Sequence, residues 1–189
     1  HFPVLAEHAR KHPQLSVWCS AASTGEEPYS IAMTLCDAYG TLEPPVRIIA
    51  TDIDTNVLAT AALGVYPAER VASLPMAQLK RFFLKGRGSQ AGLVRVRPEL
   101  RKLIEFMPLN LLAPRWPLTT PFDVIFCRNV MIYFDKPTQR QILERFVPLM
   151  KPDALLFAGH SENFLYASNA LRLRGKTVYE LASAPAAAR

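Results

Sequence analysis

Short apolar runs alternate with helix-period segments along most of the chain. Leu15–Cys19, 47–51, 103–107, Phe122–Cys127 and 154–158 are each nearly continuous in apolar residues. That is the pattern of parallel strands covered on both faces. Between them, 27–38 has the period of a helix ended by Gly40, and Thr55–Leu63 that of a second, with Thr55 as N-cap and Gly64 beyond its end. A third helix is expected over 138–150, stopped by Lys151-Pro152-Asp153. Residues 171–174 and 177–181, separated by Gly175-Lys176, read as a terminal hairpin. Strand–helix alternation ending in a hairpin predicts an α/β, doubly wound Rossmann-like sheet whose last strand is antiparallel. Residues 93–97 alternate apolar and basic side chains, which suits a small inserted antiparallel β subdomain over 80–102. The main domain is then 1–182, with a frayed tail at 183–189.

Half of the 189 residues are hydrophobic and a fifth are charged, enough for a sizeable core. No apolar run is long enough to cross a bilayer, and no signal-peptide pattern opens the chain, so direct membrane insertion is not expected. Cys19, Cys36 and Cys127 are odd in number and far apart, and read as small hydrophobes in a reducing, cytoplasmic setting. The net charge of +6 is uneven. Residues 80–102 hold eight basic side chains against Glu99 alone, which leaves the remainder at one net negative charge. A patch this local disfavours nucleic acid, which needs a broader basic surface. It suits a solvated hairpin or a dock for an acidic protein segment.

Candidate chemistry collects where strands end. After the first strand, Cys19-Ser20-Ala21-Ala22-Ser23-Thr24-Gly25 is a run of small residues that lets a ligand approach the backbone. It lacks both phosphate-binding glycine signatures, and Glu26 and Glu27 favour a cationic or zwitterionic ligand; they also complement a helix dipole. Asp52 follows the second strand, the usual place for a ribose acceptor in a Rossmann-like crevice, while Asp54 could cap the next helix. Asn110 offers the donor and acceptor that adenine requires, with Leu111 beside it to pack on a ring. Arg128 and Asn129 end the fourth strand, and Tyr133 follows near the expected crevice mouth. His160-Ser161-Glu162 has no nucleophile-elbow context. His8 and His12 lie one helical turn apart without a third ligand at fitting spacing, so no metal is expected and both read as exposed helix residues.

Taken together, Ser-Thr-Gly-Glu-Glu-Pro-Tyr-Ser at 23–30, Ala-Thr-Asp-Ile-Asp-Thr at 50–55, Asn110-Leu111-Leu112, the stretch 122–135 and Gly159-His160-Ser161-Glu162 closely resemble the bacterial chemotaxis receptor glutamate O-methyltransferases, the CheR type. The resemblance covers almost the whole chain. It implies transfer of a methyl group from S-adenosyl-L-methionine, leaving S-adenosyl-L-homocysteine, to glutamate side chains on the cytoplasmic domains of transmembrane chemoreceptors. Carried over by position, Glu27, Asp52, Asn110, Leu111, Arg128 and Asn129 resemble cofactor contacts, and Tyr133 with Arg128 the catalytic positions. Lys85, Gly86, Gly92 and Arg95 match positions that some members use to grip a peptide at the receptor's C-terminus by β-augmentation. Many relatives have Gly and Cys where this chain has Ala21 and Ala22. The family's N-terminal helical domain, with a Thr-x-Phe-Phe-Arg motif, is not represented, so the resemblance implies a piece of a longer chain.

A glutamate with a pKa of about 4.3 is already ionised at neutral pH, so methylating it needs no general base. Two rivals stand beside this reading. A methyltransferase for amines or nucleic acids would favour an Asn-Pro-Pro-Tyr-like loop, whereas Asn129 is followed by Val130-Met131-Ile132-Tyr133. A non-catalytic domain that senses S-adenosylmethionine or binds receptors would not need Tyr133.

Overall fold

The computed structural model describes residues 1–183. Helix α1 (Phe2–Arg10) precedes β1 (Leu15–Cys19), α2 (Glu26–Tyr39), β2 (Val46–Asp52) and α3 (Thr55–Leu63). A small unit follows, made of β3 (Val65–Pro67), α4 (Met76–Phe82), β4 (Phe83–Lys85), β5 (Leu93–Val96) and α5 (Pro98–Lys102). The chain then runs through β6 (Ile104–Pro108), β7 (Phe122–Cys127), α6 (Lys136–Phe146) and β8 (Met150–Ala158) to the hairpin of β9 (Leu171–Gly175) and β10 (Val178–Leu181).

Seven strands form one sheet in the order β6-β2-β1-β7-β8-β10-β9. The first five are parallel, and β10 runs antiparallel to both β8 and β9. The strand order reverses between β1 and β7, which opens a crevice beyond their carboxyl ends. Successive residues of β1 serve opposite layers. Val17 and Cys19 pack into a core with α1 and α2, while Trp18 joins a second core with Ile142, Leu143 and Phe146 of α6. Two covered faces are why these strands are apolar throughout rather than alternating.

Several boundaries differ from the sequence expectation. Asp54, not Thr55, caps α3: its carboxylate accepts from the N–H groups of Asn56 and Val57. Helix α6 starts earlier than 138, because Asp135 caps it and Pro137 is tolerated in a first turn. It stops at Phe146, before Pro148, and Lys151-Pro152-Asp153 lie inside β8, where the pairing to β7 shifts register. The small sheet, ordered β3-β5-β4 and antiparallel throughout, begins at Val65 rather than near residue 80. His8 is buried, and His12 is half-buried with its Nε2 2.7 Å from Asp153, so neither is a freely exposed helix residue. All three cysteines are buried and free. Apart from Ser183, the expected tail lies outside the described residues. Among the described residues, no helix is long and apolar enough to cross a membrane.

Candidate active site

The crevice is built from the first turns after four parallel strands. Trp18 Nε1 donates to Thr51 Oγ1 at 3.0 Å, and Thr51 donates on to the Ser20 carbonyl at 3.2 Å, all of it buried. This relay ties the end of β1 to that of β2. The chain then turns sharply through Ser23, at φ 49°, and Gly25, at φ 99°. A Cβ on Gly25 would lie 2.8 Å from both Ala61 Cβ and the Tyr66 hydroxyl, so glycine is required there by space as well as by backbone angle. Asp52 completes the turn. Its two carboxylate oxygens accept from Ser23 N at 2.9 Å and Asp54 N at 3.0 Å, which fixes the side chain at the crevice wall.

Two adjoining hollows occupy this edge, of about 570 and 300 Å³. Both volumes suit a small-molecule site. Asp52, Tyr133, Ala21, Ile53 and Val130 line both hollows and stand at their junction. The larger is the more polar of the two, with Glu26, Glu27, Arg128 and Asn129 in its lining. The smaller is mainly apolar, with Leu109, Leu111, Leu112 and Phe134 around Asn110. Asn110 Oδ1 accepts from Leu112 N at 2.9 Å, which holds the amide in place. All seven residues expected at the cofactor and catalytic positions thus meet around one crevice.

Glu27 and Arg128 are paired rather than independent. Arg128 Nη1 donates to Glu27 Oε1 at 2.6 Å, and the Cys19 thiol lies 3.4 Å from Glu27 Oε2. Burial pushes the Glu27 carboxyl above its ordinary range, and the Arg128 guanidinium opposes that rise. Arg128 Nε is buried with no acceptor among the described residues. A bound anion beside it would complete its bonding, while Glu27 offers negative charge to a cation, so the pair suits a zwitterion.

Tyr133 is 79% exposed, on a short 3-10 turn, and stands over the crevice rather than being packed into it. The backbone beneath it is held by a residue to which sequence reasoning gave no role. Glu162, 5% exposed, accepts from the N–H groups of Asn129, Val130, Met131 and Gly159. The only signal was its place in the Gly159-His160-Ser161-Glu162 motif.

The basic positions lie apart, on the small sheet. Lys85, Gly86 and Arg95 line a separate hollow of about 370 Å³ with Arg87 and Gln90. Gly92 is at φ 83° in the turn and is not part of the lining. Gly86 is needed by the hairpin itself: a Cβ there would come 2.0 Å from the Gln90 carbonyl. His12, Asp123 of β7 and Asp153 of β8 approach one another near the starts of those strands, away from the crevice, and Asp123 is held there by Lys151 and Ser16.

A parallel sheet with a switch-point crevice, an acid after each of its first two strands and an Asn–Leu pair after the next defines the Rossmann-like class of S-adenosylmethionine-dependent methyltransferase folds. Residues 2–179 match the family described as CheR methyltransferase, SAM binding domain, and the chain belongs to that family. It is 60% identical over 182 residues to the chemotaxis protein methyltransferase of Klebsiella aerogenes, covering 96% of this chain and 63% of that protein. It is 57% identical over 183 residues to chemotaxis protein methyltransferase 2 of Pseudomonas aeruginosa, covering 95% and 65%. Against the chemotaxis protein methyltransferase of Escherichia coli K12 it is 57% identical over 182 residues, covering 96% and 64%. The chain therefore spans slightly less than two thirds of the length of these relatives.

Proposed function

We propose that residues 1–182 are the catalytic domain of a protein-glutamate O-methyltransferase acting in the cytoplasm on the cytoplasmic domains of transmembrane chemoreceptors. The observation that carries this reading is the two-part crevice, charged residues lining one side and mainly apolar residues the other, with Asp52 and Tyr133 at the junction. In it, the Glu27–Arg128 pair would hold the amino-acid end of S-adenosylmethionine, with Asn129 beside it, and Asp52 the ribose hydroxyls. Asn110 would meet the adenine edge and Leu111 its face. Bound there, the cofactor supplies an electrophilic methyl group on a sulfonium.

The chain's own task is then alignment and exclusion of water, because an ionised glutamate needs no base to attack. Tyr133 would hold the incoming carboxylate at the mouth, and Arg128 would shape the polar end. The exposed edge of β4 supports a second contact. A receptor's C-terminal peptide would add there as a strand, with Lys85 and Arg95 taking its acidic groups and Gly86 and Gly92 shaping the turn that closes the dock. Such a tether raises local substrate concentration to roughly millimolar.

The test uses the full-length protein with methyl-labelled cofactor and membranes that carry chemoreceptors. Base-labile methyl esters on receptor glutamates are the expected product. Cofactor binding without label would assign the crevice to sensing instead.

A further inference from the structure

We propose that Glu162 is a positioning residue, one that sets the loop from Arg128 to Tyr133; this rests on the reading of Tyr133 as the residue at the crevice mouth. Both of its carboxylate oxygens are committed to backbone. Oε2 accepts from Gly159 N at 2.6 Å and Asn129 N at 2.9 Å, and Oε1 from Val130 N at 3.1 Å and Met131 N at 2.8 Å. Three consecutive N–H groups converge on one side chain because Asn129 adopts the left-handed conformation, φ 59°. Among the described residues Glu162 has no ion-pair partner, so its charge is balanced by these donors.

Two further features show that the arrangement is tight. A Cβ on Gly159 would fall 2.6 Å from Asn129 Oδ1 and 2.7 Å from Glu162 Oε2, so only glycine lets the loop and the carboxylate close on each other. From the far side, Gln139 Nε2 donates to the carbonyls of Met131 and Phe134, each at 2.9 Å. The backbone over 129–134 is clamped between two buried side chains. Tyr133, by contrast, is too exposed for its ring to be held by surrounding packing. Its aim is set by the backbone, and the backbone by Glu162.

The Glu162→Gln variant keeps the size of the side chain but turns one acceptor into a donor facing N–H groups. Turnover in the full chain should fall by about 10²-fold, the scale for misplacing a reacting group by an ångström. Affinity for S-adenosylhomocysteine should fall by less than turnover: Asn129, at the anchored end of the loop, is disturbed, while Asp52, Asn110 and Leu111 keep their places. The decisive arm is the double variant with Tyr133→Phe: if Glu162 acts through Tyr133, the double is no slower than the slower single. Multiplied losses, or wild-type turnover in Glu162→Gln, would overturn the proposal. Wild-type turnover in Tyr133→Phe alone would instead overturn the role given to Tyr133. In that event, the fluorine NMR signal of a fluorotyrosine at 133 decides the positioning claim, moving in chemical shift in Glu162→Gln if it holds and staying at the wild-type shift if it does not. Should Glu162→Gln fail to fold by thermal melting, Gly159→Ala applies the same displacement with the carboxylate retained.

Discussion

Arg128 and Glu27 meet at 2.6 Å across the crevice floor, each about four-fifths buried. They come from the ends of β7 and the start of α2, so the pair joins the two sides of the topological switch point. A charge pair there is poised between satisfying itself and engaging a zwitterion of opposite polarity. Removing one member leaves the other partly desolvated and unpaired.

Glu27→Gln should therefore weaken S-adenosylhomocysteine binding by about tenfold or more, the scale of one charged hydrogen bond. Calorimetric titration reads this directly. In the proposed arrangement the amino group of the ligand would lose its counter-charge, and Arg128 would lose the carboxylate it now donates to. Unchanged affinity would place the amino-acid end of the ligand elsewhere.

Tyr133→Phe should leave stability within about 0.5 kcal/mol, as for most exposed substitutions. Turnover should fall far more than cofactor affinity if, as proposed, the hydroxyl meets the incoming carboxylate at the mouth of the crevice rather than the adenosine. Equal losses in both quantities would remove Tyr133 from the reaction path.

Charge reversal at Lys85 and Arg95 separates the dock from the crevice. Lys85→Glu with Arg95→Glu should weaken binding of an acidic receptor tail peptide by about tenfold or more. S-adenosylhomocysteine affinity should be unaltered. The wild-type peptide affinity should also fall with added salt. Peptide binding indifferent to both changes would sever the basic hollow from receptor recognition.

The docking of α1, which buries His8, carries a pH dependence. Burial holds the His8 imidazole down to about 4, with His12 adding to the effect. The unfolded chain takes up that proton near 6.5, so stability falls as pH drops from 6.5 towards 4, by on the order of 2–3 kcal/mol. Burial also works against a charged His12, but the His8 carbonyl and the Asp153 carboxylate outweigh it and raise that imidazole. Its contribution has the opposite sign: present below 6.5 and lost as pH rises through the raised value. His8 Nε2 has no partner to lose. His8→Leu should flatten the acid limb of melting temperature against pH, and an unchanged limb would locate the titration in another group.

Much of this architecture is legible in residue order because its signals are local. Strands β1 and β7 are uninterrupted apolar runs ended by polar residues, and Gly64 marks the end of α3. The start of the small sheet is not legible, since Val65-Tyr66-Pro67 is too short to show a period and ends in proline. His8 reads as polar on a helix, and only the docking of α1 buries it. The place of the crevice is legible because polar residues gather at strand ends: Asp52 closes β2, Asn110 comes two residues after β6 and Arg128 directly follows β7. The task of Glu162 was hidden for the opposite reason, since three of its four donors lie about thirty residues earlier in the chain.

The most direct measurement is a calorimetric titration of S-adenosylhomocysteine into the wild-type protein and into Asp52→Ala. A single saturable site is expected in the first, and a loss of about 10- to 100-fold in affinity in the second. No binding to the wild type, or equal affinity in both proteins, would contradict an adenosyl ligand seated across Asp52.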